Sequence, residues 1–337
     1  MTKSFSLIAV LAVLLMTVSL RGIARSPASG GLLLVANKGE STMGIVDVDA
    51  GTQLAAVPEN GVTGHEVIAS PDGRTGYVPI YGDSGVGKPG SDGQKVVAID
   101  LATRAITATL DFGHGVRPHC PMFGPKDGLL YVTTELEQAI TLVDPKTMKV
   151  VGTVPTGQAE SHMLAISKDG TRGYTANVGP GTVSVLDLEA RKTLKIVPIA
   201  THTQRISLSV DDKWAFTSDT DQPRIAAINT ATSTVDHWIA LASPGYGTAA
   251  TIDGKYLLVA MPKANAVAVV DLSTFTVTKT IDVPPTPQEM LVRPDGKMAY
   301  VSCDMSGKIV EIRTSDWGIE KTITAGKVAD GLAWAPR

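Results

Sequence analysis

Residues 162–187 read HMLAISKDGTRGYTANVGPGTVSVLD, and this stretch decides the fold. Two segments with alternating apolar residues flank a Lys-Asp-Gly turn, and a Gly-Pro-Gly loop leads to a third such segment. Alternation with period two predicts half-buried β-strands. Asp-Gly is typical of tight hairpin turns because glycine takes positive φ without steric cost. The stretch therefore predicts three antiparallel strands in sequence.

The same pattern recurs along nearly the whole chain. Each unit ends its third strand at one marker position, and successive markers are 53, 44, 43, 42, 42 and 42 residues apart. The markers are Asp47, Asp100, Asp144, Asp187, Asn229, Asp271 and Arg313. A period near 42 with about four strands per unit is typical of propeller blades. Residues 31–337 are therefore predicted to form a single all-β domain, a seven-bladed β-propeller with four-stranded antiparallel blades.

The two ends of this domain complement each other. Residues 330–335 match a first strand, whereas residues 32–57 match second, third and fourth strands. One composite blade built from both termini would close the ring and leave no long exposed sheet edge.

The first 30 residues have the pattern of a signal peptide. Lys3 precedes an apolar run at residues 7–20, and small residues follow it. About 14 apolar residues suit the hydrophobic region of a secretory signal and are too few for a stable membrane span. The mature protein is therefore expected to be periplasmic or secreted.

Composition and missing motifs exclude several classes of function. The formal net charge is −3 with no basic stripe, which argues against a nucleic-acid partner. Gly-x-Ser-x-Gly, His-Glu-x-x-His and Cys-x-x-Cys-His are all absent, so an α/β-hydrolase nucleophile and covalent haem are excluded. The two cysteines, Cys120 and Cys303, occupy different repeat positions in separate units and are predicted to be free thiols.

Three motifs resemble the repeat of a known family. They read Tyr131-Val-Thr-Thr, Gly173-Tyr-Thr-Ala-Asn and Tyr300-Val-Ser-Cys, and each precedes an alternating third strand. This pattern resembles the YVTN-repeat β-propeller family over residues 31–337. The resemblance implies the seven-bladed fold. Related propellers include lactonase-like enzymes, domains of redox enzymes and pure binding modules, so it leaves the function open.

One repeat position, at the start of each first strand, carries the candidate ligand-binding residues. These are His65, His119, His162, Gln204, Tyr246, Gln288 and Asp330, and Arg205 beside Gln204 is a further ligand-binding candidate. First strands line the channel of a propeller, so a ring of these side chains is expected at one mouth. Charged neighbours are expected on the rim, namely Glu66, Arg117, Glu160, Arg205 and Glu289.

The three consecutive histidines allow three interpretations. They could share a zinc, copper or iron ion, because three imidazoles with an open position form a catalytic metal pattern. They could contact a polar ligand, or they could belong to the scaffold of the repeat. In the metal interpretation, Glu135 or Asp330 is the candidate base of a metal-assisted hydrolase or lactonase.

A glycine-rich insertion is expected beside the histidines. The ten extra residues of the first spacing fall between Gly82 and Gln94, in the sequence GDSGVGKPGSDGQ. The insertion replaces a tight turn between second and third strands, which opens on the face of the ring residues. It is interpreted either as a lid or partner-docking loop or as a tolerated surface insertion.

These features favour a non-catalytic, exported module over an enzyme. The expected partner is a small ligand or a periplasmic protein, bound on the face with His65, His119, His162 and the Gly82–Gln94 insertion. The alternatives are the metal-assisted hydrolase or lactonase and an accessory subunit of a periplasmic redox system. No cofactor is assigned beyond a possible zinc, copper or iron ion.

Overall fold

The computed structural model describes Met1, residues 30–83 and residues 85–337. The predicted signal peptide lies outside the described residues, apart from Met1 and Gly30. No helix within the described ranges is long and apolar enough to span a bilayer.

The described domain consists of short β-strands. In chain order, strands β1 to β7 span Gly31–Asn37, Thr42–Asp47, Thr52–Pro58, Ile68–Ala69, Thr75–Gly82, Asp92–Asp100 and Ala105–Asp111. Strands β8 to β15 span Pro118–Phe123, Leu130–Thr134, Ala139–Asp144, Lys149–Pro155, Ser161–Ile166, Arg172–Asn177, Thr182–Asp187 and Lys192–Pro198.

The second half continues the same order. Strands β16 to β23 span Thr203–Leu208, Trp214–Asp219, Arg224–Asn229, Thr234–Ala240, Thr248–Ala250, Tyr256–Met261, Ala266–Asp271 and Thr276–Asp282. Strands β24 to β28 span Pro287–Val292, Met298–Cys303, Lys308–Arg313, Ile319–Thr324 and Ala329–Pro336. Short 3₁₀ helices join second and third strands in four blades, at Lys38–Glu40, Glu135–Glu137, Pro262–Ala264 and Asp304–Ser306.

The strands form seven four-stranded antiparallel units, which confirms the predicted propeller. Five sheets contain four consecutive strands each, and a sixth contains eight strands. The eight strands divide into two blades, β24 to β27 and β28-β1-β2-β3, because a single parallel pair, Thr324 with Thr52, joins them. The composite blade is also confirmed, since β28 pairs with β1 through Leu33–Trp334 and Val35–Leu332.

The repeated acidic residues accept hydrogen bonds within the turns. Asp100 Oδ1 accepts hydrogen bonds from the backbone N–H of Ala102 and Thr103, at 3.1 and 2.7 Å. In the other turn series, Ser167 donates its hydroxyl to Asp169 at 2.6 Å. Such side-chain bonds satisfy turn backbone that has no strand partner.

The core lies between the blades. The inner three strands of a blade are buried on both faces, as in Thr182–Asp187. The fourth strand alternates between exposed residues and half-buried or buried ones, as in Thr52–Pro58. Each fully buried Val, Leu or Ile stabilises the fold by about 1.5–3 kcal/mol. Both cysteines are buried and free, as predicted.

The first strands depart from strict alternation where the candidate residues lie. Their register shifts between Pro118 and Pro121, between Ser161 and Met163, between Thr203 and Ile206, and between Pro287 and Met290. A bulge re-aims side chains because two residues oppose one on the partner strand. These bulges decide which neighbours of the histidines reach the channel.

Candidate ligand-binding site

The three histidines lie together at one mouth of the channel. The ring centroids of His65 and His119 are 5.5 Å apart, with their planes nearly perpendicular. His119 stacks on His162, with centroids 3.5 Å apart and an interplanar angle of 29°. His119 and His162 are 2% and 4% exposed, whereas His65 is half-buried. We call these three residues the histidine cluster.

Tyr81 packs against all three residues of the histidine cluster and was not among the sequence-based candidates. Its ring centroid lies 4.6, 5.1 and 5.7 Å from those of His65, His119 and His162. Tyr81 is fully buried near the end of β5, and its hydroxyl donates to Glu135 Oε2 at 2.7 Å. The sequence does place it at the same repeat position as Glu135, which was the available signal.

Glu135 anchors the cluster from the first position of its 3₁₀ helix. Its Oε2 also lies 3.3 Å from His162 Nδ1, and Arg117 Nη1 donates to its Oε1 at 3.4 Å. Burial raises the pKa of Glu135, but the bonds from His162 and Tyr81 and the charge of Arg117 bring that pKa below its ordinary value. Glu135 is therefore ionised, and both its oxygens accept hydrogen bonds.

All three imidazoles are neutral at neutral pH. Burial lowers the pKa of His65 to about 3 and that of His119 well below its ordinary value. Burial also lowers the pKa of His162, although Glu135 opposes this. Neutral His162 must donate its Nδ1–H to the carboxylate, which leaves Nε2 as an acceptor. Within the described chain, His119 Nδ1 is buried without a hydrogen-bond partner.

The geometry of the cluster bears on the metal interpretation. Among the residues described, no group of three or more His, Cys, Asp or Glu is arranged to hold an ion. The rings of His119 and His162 are stacked, so their in-plane lone pairs do not converge on one point. A shared zinc, copper or iron ion requires rotation of one ring, and the three-histidine metal site stays a prediction.

The insertion at residues 82–94 folds against the cluster. Buried Arg117 donates from Nε to Asp92 at 2.6 Å and from Nη2 to the carbonyl of Lys88 at 2.7 Å. The same guanidinium bonds Glu135, so it ties the insertion to the histidine cluster. A cavity of about 370 Å³ lies between the insertion and the neighbouring blades, and its polar lining includes Lys88, Arg117, Glu135, Gln138 and Glu160.

A second cluster crosses the channel beneath the histidines. Arg205 is 3% exposed and donates from Nη1 to Glu66 Oε1 at 2.5 Å and to Glu289 Oε2, and from Nη2 to Asp330 Oδ1 at 3.0 Å. Lys38 Nζ donates to Asp330 Oδ2 at 3.1 Å. We call Lys38, Glu66, Arg205, Glu289 and Asp330 the ionic layer.

The ionic layer contains three carboxyl groups and two cations. Burial raises the pKa of Glu66 to about 8 and also raises that of Glu289, although Arg205 opposes both shifts. Burial raises the pKa of Asp330 as well, but Lys38 and Arg205 bring it below its ordinary value. One carboxyl group therefore retains a proton at neutral pH.

The expected ring of seven equivalent side chains divides into three groups. The histidines form their own cluster, whereas Asp330 joins the ionic layer and Tyr246 packs its ring 5.0 Å from Arg205 Cζ. Within the described residues, the side chains of Gln204 and Gln288 make no hydrogen bond to either cluster. The rim assignment of Glu66, Arg205 and Glu289 was wrong, because the channel interior holds these side chains in the ionic layer.

Glu59 lies in the segment that leads to His65 and offers a pH-dependent test of this region. Glu59 is fully buried, its Oε2 accepts the N–H of Gly64 at 2.7 Å, and its Oε1 has no partner in the described chain. Burial raises its pKa to about 7, which the bond from Gly64 only partly offsets. The native carboxyl therefore keeps its proton after the unfolded one has ionised.

We expect Glu59→Gln to remove a stability loss that develops as pH rises. The raised pKa favours the protonated native state, so wild-type stability falls between about pH 4.5 and pH 7, by about 3 kcal/mol. The amide keeps an acceptor for Gly64 without ionising. Urea unfolding should show the variant more stable at pH 8 and equal to wild type at pH 4.5. The same difference in unfolding free energy between the variant and wild type at both pH values would contradict this account.

The comparisons with known proteins concern the fold. No family model matches the chain. No curated protein matches it. Three solved structures are similar. Hydrazine synthase of Kuenenia stuttgartiensis has a TM-score of 0.69 at 18% identity, covering 83% of this chain and 92% of that one. A functionally unknown protein from Desulfotomaculum acetoxidans has a TM-score of 0.73 at 14% identity, covering 90% and 99%.

The third similar structure is the dihydro-heme d1 dehydrogenase NirN in complex with DHE. It has a TM-score of 0.66 at 14% identity, with 92% of this chain and 76% of that chain covered. Identities this low establish a shared architecture and carry no residue assignment. The function must therefore be argued from the two clusters and the cavities beside them.

Proposed function

We propose that this chain is an exported, YVTN-like propeller that binds a small, uncharged polar molecule at the histidine cluster. The observation that carries the proposal is His119 Nδ1, which is buried without a partner in the described chain. An unsatisfied buried polar atom costs about 1–3 kcal/mol, and a bound hydrogen-bonding group would remove that cost.

The charges around the cluster favour an uncharged ligand. The three imidazoles are neutral, and Arg117 neutralises the buried carboxylate of Glu135. The second carboxylate on Arg117 belongs to Asp92, whose side chain is 38% exposed and therefore screened by water. The adjoining cavity adds one lysine and one glutamate, Lys88 and Glu160. A charged ligand would lose its hydration there without gaining a net opposite charge. Hydroxyl or amide groups suit free imidazole nitrogens better.

The candidate bases support binding rather than catalysis. Glu135 and Asp330 are held ionised, and all four carboxylate oxygens already accept hydrogen bonds or ion pairs. A general base works best with a pKa near the operating pH and a free oxygen towards the substrate. Neither carboxylate has these properties in its present contacts.

The metal-assisted hydrolase is the second candidate, and one contact favours it. Metal-binding histidines usually donate their second ring N–H to a carboxylate, which is the relation of His162 to Glu135. In that case Nε2 of His162, with His65 and His119 after a ring rotation, would hold zinc, copper or iron. The ion would supply Lewis acidity to a bound carbonyl group.

Matched probes can test the proposal on residues 31–337. We expect a thermal-shift and calorimetric panel to identify a neutral polyol, sugar or phenol as a 1:1 ligand. Its anionic and cationic analogues should bind at least tenfold more weakly. For glucose, these analogues would be gluconate and glucosamine. His119→Ala should weaken binding of the neutral ligand at least tenfold. Gln288→Ala is the control, since it alters the same repeat position outside both clusters.

Two results would contradict the binding proposal. One is a panel in which no neutral compound binds or His119→Ala binds as well as wild type. The other is stoichiometric zinc, copper or iron in the purified protein that His119→Ala abolishes, which would establish the metal candidate instead.

A further inference from the structure

A second cavity occupies the channel on the other side of the ionic layer. Its volume is about 260 Å³, and first strands of all seven blades contribute to its wall. We call it the lower channel cavity. The ionic layer separates it from the histidine cluster, so it is independent of the proposed function.

Beyond its inner end the lower channel cavity is mainly apolar, apart from Ser207 and Thr248, whose hydroxyls bond each other, and it is open at one end. Its wall includes Cys120, Met163, Ile206 and Leu332, which are buried. The half-buried side chains Ile68, Met122, Ile166 and Leu208 line it further along the same strands. Exposure thus increases away from the ionic layer, and the cavity opens on the face opposite the histidines.

The inner end of the cavity is acidic. Glu66 and Glu289 line it, and each gives one oxygen to Arg205 Nη1. Within the described chain, the remaining oxygens, Oε2 of Glu66 and Oε1 of Glu289, accept no hydrogen bond. Asp330 differs because Arg205 and Lys38 engage both its oxygens.

The ionic layer has one cation fewer than it has carboxyl groups, and a proton on one carboxyl group makes up the difference at neutral pH. Its three carboxyl groups face only Arg205 and Lys38, and a buried charge without a partner is costly. The two acceptor oxygens without partners belong to the two residues that line the cavity. A cationic group entering from the lower mouth would displace that proton and bond those oxygens.

We propose that the lower channel cavity binds a small primary amine with an apolar body. The ammonium group would donate to Glu66 and Glu289, and the hydrocarbon would lie along Met122, Ile206 and Leu208. A volume of 260 Å³ accommodates about nine water-sized groups at ≈ 30 Å³ each. A six-carbon amine therefore fits the cavity.

The probe is n-hexylamine, compared with 1-hexanol, which has the same body without the charge. Titration calorimetry of residues 31–337 at pH 7.5 should show 1:1 binding of the amine, at least tenfold tighter than the alcohol. Glu289→Gln should weaken amine binding at least tenfold, because it removes one carboxylate at the inner end. Glu160→Gln, a matched change on the histidine face, should leave it unchanged.

Cys120 gives a second readout inside the cavity. In a Cys303→Ser background, hexylamine should slow the reaction of Cys120 with methyl methanethiosulfonate at least fivefold, whereas hexanol should not. Leu208→Phe narrows the open end and should weaken amine binding even if Glu289→Gln fails to fold. Absence of saturable amine binding, equal binding of the alcohol, or unchanged Cys120 labelling would overturn the proposal.

Discussion

Removal of residues 330–337 is expected to abolish the cooperative folded state. These residues supply most of β28, which pairs with β1 and buries Leu332, Ala333 and Ala335 between neighbouring blades. The deletion also removes Asp330, the partner of Lys38 and Arg205. The expected loss is at least about 5 kcal/mol, the lower end of the stability of a typical domain.

Urea unfolding followed by circular dichroism measures this effect. Wild type should show one cooperative transition, and the truncated chain should show none at 25 °C. Deletion of Arg337 alone is the control, because it leaves β28 intact. A truncated protein with the wild-type midpoint would refute closure of the ring by the composite blade.

Arg205→Met is expected to destabilise the protein by about 3–5 kcal/mol at pH 8. Methionine keeps much of the side-chain volume but leaves Glu66, Glu289 and Asp330 with Lys38 as the only cation of the layer. Removal of one partner from a buried ion cluster is costly because the remaining charges are uncompensated. Exposed Arg74, whose side chain is 83% accessible, gives the control Arg74→Met, expected within about 0.5 kcal/mol of wild type.

The pH dependence separates this electrostatic cost from a packing defect. Loss of Arg205 raises the native pKa values of all three carboxyl groups, and those of Glu66 and Glu289 move further above their unfolded values. The variant should therefore be most stable where these groups are protonated, and it should lose stability as pH rises. Its deficit relative to wild type should shrink from pH 8 to pH 5. Adding Glu66→Gln and Glu289→Gln should recover stability at pH 8. A deficit independent of pH would indicate packing alone.

The fold was predictable because each blade repeats the same local chemistry. Asp-Gly turns such as that at Asp169, the alternating strands and the Asp markers recur at a nearly constant period, so errors in one unit are corrected by the others. The complementary ends at residues 32–57 and 330–335 also predicted the composite blade. The sequence did not predict the register shifts that interrupt the repeat in the first strands.

The site was predictable only where it follows the repeat. The repeat position identified His65, His119 and His162, and it placed the insertion beside them. The bulge between Thr203 and Ile206 is not visible in the pattern of apolar residues, so Arg205 was expected on the rim rather than in the channel. Tyr81 was missed because its role depends on contacts among three blades, which no local pattern encodes.

The pairing of β1 with β28 has a kinetic consequence. Its partners come from opposite ends of the described domain, so the contact that completes the ring is the most distant one in sequence. The contacts within the other blades are local and do not offset the loop entropy of this pairing, so ring closure is expected to be the slow step of folding. The last strand must leave the ribosome before the ring can form. Until then the growing chain has no closed ring, and its ends stay apart during the export that the first 30 residues predict.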